Sequence, residues 1–501
     1  MIERILRLRF KSWLCQCVAV AALLGAPAAC ADTLNEALAA AYEHNPTINA
    51  ERARLRATDE ELARAQSGYR PDISLGADYG VAGLTTGVTP LTLSNGGIPS
   101  PGQILSNNSQ YKRNDGMTRP GGYAVTLSQP LFQGFRTLNA VKEADANIMA
   151  GRQALRETEQ KVLLETITAY MDVMRDAAIA TLRQKSLQVL STEARATQER
   201  FAAGEMTRTD VAQARSRQAQ AEAALQLAKS ALRSSLASYE RFVGHVPVRL
   251  TDPNGYEQIL PHSQDEAIAV AMGSNPQVLQ AAYLERASGS SVRKIEGEML
   301  PDVRLQAQHT ERFDPTPTID HQINQSVIAR VNIPIYQSGD VEARVRQAKQ
   351  QRQGRLEEIE AAREQVRAAA ISTYAEVQAM RAQLSAVRQQ VQAATESLTG
   401  VTEEQKAGQR TLLDVLNAEQ ELTNAKVSAV RAKHDMVVSA YTLLQAMGRL
   451  SASDLGLDVR LYDAVKHYAE TNRKWIGVSV ERDQGYAGVA PEWGSSVQRA
   501  Q

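Results

Sequence analysis

The chain has 501 residues with 56 basic and 56 acidic side chains, a formal net charge of zero, which excludes the electrostatic footprint of a nucleic-acid binder. All three cysteines (Cys15, Cys17, Cys30) fall in the first 31 residues, which excludes a disulfide framework in the remainder. Aromatic content of only 5%, beside long Ala-, Gln-, Glu- and Arg-rich runs, argues for long helices with small-residue seams over a large globular core.

Residues 1–31 open with Arg4, Arg7, Arg9 and Lys11, run apolar around Val18 to Leu24, and end Ala29-Cys30-Ala31. The pattern predicts a secretory signal peptide cut after Ala31, with the mature chain starting near Asp32. Two competing readings stay open. One is a membrane anchor, for which the apolar run is short of the ~20 residues that span a bilayer. The other is lipidation at Cys30, for which Pro27 and Ala28 make a poor signal. The leader takes four basic and one acidic residue with it, leaving 52 against 55, a net charge of about −3.

The mature region is an internal duplication. Glu36-Ala37, Asn45-Pro46, Arg56-Ala57 and Pro71-Asp72 recur 230 residues on, at Glu266-Ala267, Asn275-Pro276, Arg286-Ala287 and Pro301-Asp302. Tyr170, Gly204, Asp210-Val211, Ala221 and Gly244 recur 204 residues on, at Tyr374, Gly408, Asp414-Val415, Ala425 and Gly448. Common register over such spans marks one structural unit used twice, the first over 32–260 and the second over 261–450.

Each unit reads the same way in chain order. A helical stretch broken at Asn-Pro comes first. A β-hairpin follows, over 72–131 in the first unit and 302–335 in the second. Ile73, Leu75, Ala77, Tyr79 and Val81 alternate with polar or small residues, as do Tyr123, Val125 and Leu127, then Val303, Leu305 and Ala307, then Val327, Ala329, Val331 and Ile333. Residues 83–121 are expected to be a long polar loop, and a second loop is expected near 311–325. A helical hairpin closes each unit, over 137–243 with its turn at Gly204, and over 340–447 with its turn at Gly408. Asp210 is expected to cap the restart. Residues 451–501 are expected to form an equatorial segment and a disordered tail from Gln484 on.

Ten alternating residues are what a tilted strand needs to cross a bilayer, yet four strands cannot close a barrel, since about eight is the smallest that does. Membrane strands here require partner chains: eight strands in a dimer or twelve in a trimer. The long helices likewise need neighbours to bury their apolar stripes.

The element order, with Asn45-Pro46, Arg70-Pro-Asp-Ile73, Gln129-Pro-Leu-Phe-Gln-Gly134 and Gly408-Gln-Arg-Thr-Leu-Leu-Asp-Val-Leu-Asn-Ala-Glu419, resembles the TolC family of outer-membrane channels over about residues 33 to 450. The resemblance implies a homotrimer whose twelve-stranded β-barrel, four strands per chain, sits in outer-membrane lipid of a Gram-negative bacterium. A long α-helical barrel would continue it through the periplasm. It also implies the role of exit duct for an efflux pump or type I secretion system, docked to a periplasmic adaptor protein and an inner-membrane transporter, without cofactor. A soluble periplasmic coiled-coil adaptor or scaffold is the rival reading. Enzymatic motifs are missing: the seven histidines are scattered, with no HExxH, no Walker loop and no Gly-x-Ser-x-Gly.

In similar channels the helix turns farthest from the outer membrane pinch the pore. Asp414 and Asn417 are three residues apart and Glu421 seven from Asp414, so they share a helix face. If that face meets a threefold axis, Asp414 forms a carboxylate ring whose members raise one another's pKa and attract cations. The family often has a second aspartate where Asn417 stands, so this ring should be weaker. The resemblance also implies closing links among Arg410, Gln405, Thr209 and Asp210, with Arg410 to Asp210 a candidate charge-assisted bond. Gln405 replaces a tyrosine. Simple helix capping is the competing account of Asp210 and Asp414. Gly204, Met206, Gly408, Leu412 and Leu413 are candidate adaptor-docking residues, unless the apolar ones pack inside the tip.

Overall fold

The computed structural model describes residues 32–88, 112–253, 255–316 and 319–478. Two helices open each repeat. α1 (Leu34–His44) starts at Thr33, whose hydroxyl accepts from Glu36 N while the Glu36 carboxylate accepts from Thr33 N. In the second repeat Ser263 caps α5 (Gln264–Ser274), and Glu266 reaches back to His262 N at 2.8 Å. The repeated glutamate is therefore a capping residue. The repeated Asn-Pro ends one helix and starts the next. Asn45 and Asn275 each accept a bond, from Thr47 N and Gln277 N, both at 2.9 Å. Pro46 and Pro276 begin α2 (Pro46–Gln66) and α6 (Pro276–Glu296), where a missing N–H costs nothing.

The chain forms two compact units. One, formed by Arg56–Asp145, Ala287–Gln350 and the segment from Asp463, contains the sheet. Strands β1 (Asp72–Tyr79), β4 (Gly121–Gln133), β5 (Asp302–Thr316) and β6 (Ile319–Asn332) pair antiparallel in the order β1-β4-β5-β6. Two further strands, β2 (Ala82–Val88) and β3 (Lys112–Thr118), pair with each other. Both expected loops are thus shorter than their composition suggested. Residues 82–88 and 112–118 are strand, and so are 311–316 and 319–325. Backbone pairing, not apolar alternation, sets where a hairpin ends. The remainder of the first loop, 89–111, lies outside the described residues, as does the tail from 479.

Register places Ile73, Leu127, Ala307 and Val327 in one row, and Leu75, Val125, His309 and Gln325 in the next. The opposite face carries Ser74, Thr126, Gln308 and Ser326. The apolar face is open: Leu75 is 72% and Val327 73% exposed. Among the described strands, β1 and β6 each have a neighbour on one side only. Below the sheet, Gly134 (φ +60°) lies so close to Gly297 that a Cβ on either would sit within 2.3 Å of the other's carbonyl oxygen. Only glycine permits that approach.

The second unit, formed by the chain up to Leu55, Ala146–Arg286 and Gln351–Tyr462, is helical. Its main elements belong to α3 (Arg136–Ala202) and α7 (Asp340–Lys406), 67 residues each and so ~100 Å long, with return helices α4 (Arg208–Val243) and α8 (Leu412–Ala446). No described helix is long and apolar enough to cross a membrane. Narrow seams hold the helices together. Ala271, Val278, Ala362, Val366 and Ala370 form one cluster, and Ala394, Leu422 and Ala425 another.

The repeated tyrosine anchors the chain where each repeat begins. Tyr170, fully buried, holds its hydroxyl 2.7 Å from Thr251 O and 2.9 Å from Asp32 O, which share its one proton, and accepts from Thr251 N (3.0 Å). Tyr374 donates to His262 O at 3.4 Å. Beyond the repeats, α9 (Ala464–Arg473) belongs to the unit with the sheet. There His467 meets Asp59 at 2.9 Å and Tyr468 donates to Asp145 at 3.1 Å.

Candidate functional site

The two helical turns are built alike, residue for residue. α3 ends as Gly204 (φ +82°) donates to Phe201 O and Glu205 N donates to Arg200 O. α7 ends as Gly408 (φ +77°) donates to Gln405 O and Gln409 N donates to Glu404 O. Both are paired-bond C-terminal caps, which need a left-handed residue, hence glycine. Three residues later the next helix starts with a capping box. Thr207 Oγ1 accepts from Asp210 N (3.2 Å), and Thr411 Oγ1 from Asp414 N (3.3 Å). In return Asp210 Oδ2 accepts from Thr207 N and Oγ1, and Asp414 Oδ2 accepts from Thr411 N and Oγ1.

Asp210 is therefore not the cap itself, as its sequence position suggested, but the third helical residue; Thr207 is the cap. The same holds for Asp414 and Thr411. These bonds have an electrostatic consequence. Donation by the Thr207 hydroxyl and backbone holds Asp210 below the usual aspartate range. Asp414 is lowered in the same way by Thr411, with nearby Arg410 adding to the effect. A raised pKa, expected for a carboxylate ring, is thus not a property of the single chain. Each carboxylate uses one oxygen in its cap and keeps Oδ1 for other partners.

Arg410 sits at the place in its turn that Met206 holds in the other. Its Nε donates to Glu404 Oε2 at 2.8 Å, which raises its pKa further. Within the chain this arginine is engaged by its own repeat and not by Asp210. Thr209 is exposed on the first turn of α4, and Gln405 is half-buried near the end of α7. Asn417 is tied across the two hairpins, its Oδ1 accepting from Arg217 Nη2 at 3.0 Å. Arg217 escaped the sequence reading. It stands seven residues after Asp210, where the second repeat has Glu421 seven after Asp414, and that reversal of charge between equivalent positions was the available signal.

The candidate docking residues divide. Leu412 is buried with Leu416, Leu190 and Ala221, and Met206 packs against this cluster. Leu413 is 38% exposed, and Gly204 and Gly408 lie in open turns where an added Cβ would meet nothing within 4 Å. Among the described residues no group of three or more His, Cys, Asp or Glu could hold a metal ion. What these turns offer chemically is charge: the Asp210 and Asp414 carboxylates and the Arg410 guanidinium.

A family profile described as "Outer membrane efflux protein" matches residues 37–245 and 267–449, once for each repeat. The chain is 37% identical over 457 residues to the outer membrane efflux protein BepC of Brucella suis biovar 1, covering 91% of this chain and 94% of that one. It is 24% identical over 481 residues to the outer membrane protein TolC of Escherichia coli, covering 92% and 91%. Its fold is similar to that of the Campylobacter jejuni CmeC outer membrane channel, with a TM-score of 0.69, 14% identity, and coverage of 88% of this chain and 89% of that one.

Proposed function

The chain belongs to the outer membrane efflux protein family, and on that premise we propose that it is the exit duct of a tripartite efflux pump or type I secretion system. It passes cargo from an inner-membrane transporter and periplasmic adaptor to the exterior. The observation that carries this reading is the sheet. It offers four strands, an apolar face open to its surroundings and two half-paired edges. Such a sheet is stable in lipid only when neighbouring copies supply the missing strands, because unpaired backbone groups are costly there. Three copies give the twelve strands of a closed barrel. Its apolar band has a measurable height. Phe132 and Val303 share a row at the end of the sheet next to α3, and Phe313 lies ten residues along β5. With ~3.3 Å per residue and a tilt near 45° that spans ~23 Å, close to the height of an outer-membrane band. Tyr79, Tyr123 and Phe313 at one end, and Phe132 and Phe135 at the other, supply its two aromatic girdles.

The helical turns are the gate of this reading. Asp414, with Oδ1 left over from its cap, is the carboxylate available to a ring around the axis. Arg410, Asp210, Thr209 and Gln405 are the residues through which neighbouring hairpins hold the closed state, together with the Arg217–Asn417 link. Gly204, Gly408 and Leu413 are left for the adaptor, while Met206 and Leu412 support the tip from within. A periplasmic adaptor loses ground because its helical hairpin has no use for a four-stranded sheet with an open apolar face. Fractionation and planar-bilayer recording test the proposal. The mature protein should run with outer membranes as an SDS-resistant trimer and open single channels. A monomer in the periplasmic fraction that never conducts would overturn it.

A further inference from the structure

Within the helical unit, α3, α4 and α8 enclose a cavity of ≈ 570 Å³, a size that takes a small organic molecule. It lies ~30 Å from the glycine turns along the helices. Its charged groups are sorted along its length. At the end away from the turns, Arg175 grips Asp176 with two bonds, Nε to Oδ1 at 2.8 Å and Nη2 to Oδ2 at 3.1 Å, and reaches Asp172 at 2.6 Å. His434 stands between two carboxylates, with Asp435 2.8 Å from Nδ1 and Asp172 2.9 Å from Nε2. The carboxylates of this end are thus all engaged. At the end nearer the turns stand Arg183 on α3 and Arg431, one turn before Asp435, on α8. Among the described residues neither guanidinium has a carboxylate within ion-pair distance. Arg183 is half-buried, and its burial, followed by the nearby charge of Arg431, holds its pKa below the usual arginine range. Two like charges left together in partly apolar surroundings are costly unless an anion joins them. Beside them Ile179, Ala224, Leu227 and Val427 form an aliphatic wall, and Leu227 is 73% exposed.

We propose that this cavity binds a small amphiphilic organic anion, its sulfonate, sulfate or carboxylate group held between Arg183 and Arg431 and its apolar body laid against the aliphatic wall. A pair of guanidinium groups suits such an oxyanion, because each offers parallel N–H donors in a fixed fork. The lining holds three arginines against two aspartates, so it keeps an excess of positive charge at the end where no carboxylate is engaged. A cationic amphiphile of the same shape is repelled there. The site lies within one chain and goes beyond the duct reading, which does not use it.

Isothermal titration calorimetry on the purified mature protein in nonionic detergent tests this with three probes of one shape: naphthalene-1-sulfonate, uncharged 1-naphthalenemethanol and cationic 1-naphthylmethylamine. The sulfonate should bind once per chain, about tenfold or more tighter than the other two. Arg183→Gln and Arg431→Gln should each weaken it about tenfold, the loss of one charge-assisted bond. Ala224→Trp should fill the cavity and abolish binding. Equal binding of the three probes by wild type would mean an apolar crevice only and would overturn the proposal even if a variant failed to fold. Absence of sulfonate binding by wild type would mean that a neighbouring copy fills the cavity, and would overturn it too. Unchanged affinity in both glutamine variants would remove the arginines from the site. Single-channel conductance is read separately, so each of these failures leaves the duct standing.

Discussion

At the scale of single residues, the repeated positions turn out to be joints. Glu36 and Glu266 cap, Asn45 and Asn275 switch helices, and Gly204 and Gly408 end them in the left-handed region. Asp210 and Asp414 belong to the same class, so their recurrence alone says nothing of a gate, and the two roles of Asp414 have to be separated by mutation. Thr411→Ala should cost α8 about 1 kcal/mol of capping while leaving the charge in place. Asp414→Asn should also weaken the capping box and in addition lower cation selectivity, read from reversal potentials in asymmetric salt. Equal selectivity in the two variants would remove Asp414 from the gate. The pH dependence follows from sign. Both aspartates have folded pKa values below their ordinary 3.8, so the stability they confer is complete above 3.8 and lost as pH falls through the lower folded value. Melting curves of wild type and an Asp210→Asn, Asp414→Asn variant should therefore run parallel at neutral pH and converge only below that range.

At the scale of elements, long helices with thin seams need fixed points, and the tyrosines supply them. Tyr170 makes three polar contacts from a fully buried position, whereas Tyr374 makes one at 3.4 Å. Tyr170→Phe removes the acceptor of Thr251 N and the proton that two carbonyls share, and should cost about 1–3 kcal/mol by urea unfolding. Tyr374→Phe should cost less than half of that. Similar losses for both would mean that hydroxyl bonding is not what anchors the start of a repeat. The helices, their breaks at Asn-Pro and the glycine turns were legible in the sequence, because each depends on local backbone chemistry. The loops were not. Lys112–Thr118 is strand because it finds Ala82–Val88 as a partner, although its own composition favours a turn. The Arg217–Asn417 link was hidden for the same reason, since it joins residues 200 apart in the chain.

At the scale of the whole molecule, the decisive feature is incompleteness. A sheet in the order β1-β4-β5-β6 exposes β1 and β6 as its edges, so β6 of one copy should meet β1 of the next. No cysteine lies beyond residue 31, which allows a clean test on the strands. Ser74→Cys combined in turn with single cysteines along β6 should give a covalent trimer at one register only. Monomers at every position would mean that the barrel is not shared. The open apolar face and its two girdles place the same sheet in lipid, and the family assignment supplies the direction of transport.

Duplication, helix lengths, the glycine turns and the alternation of four strands were determined by the sequence alone, since each is written in spacing and local propensity. The need for partner chains followed from counting strands. Tertiary structure decided what spacing cannot reach: that Leu412 is buried and Met206 half-buried while Leu413 is open, that Arg410 is held by Glu404, and that Tyr123, Glu311 and His321 meet on one face. Those outcomes depend on which distant surfaces come into contact, and that is a property of packing, not of sequence period.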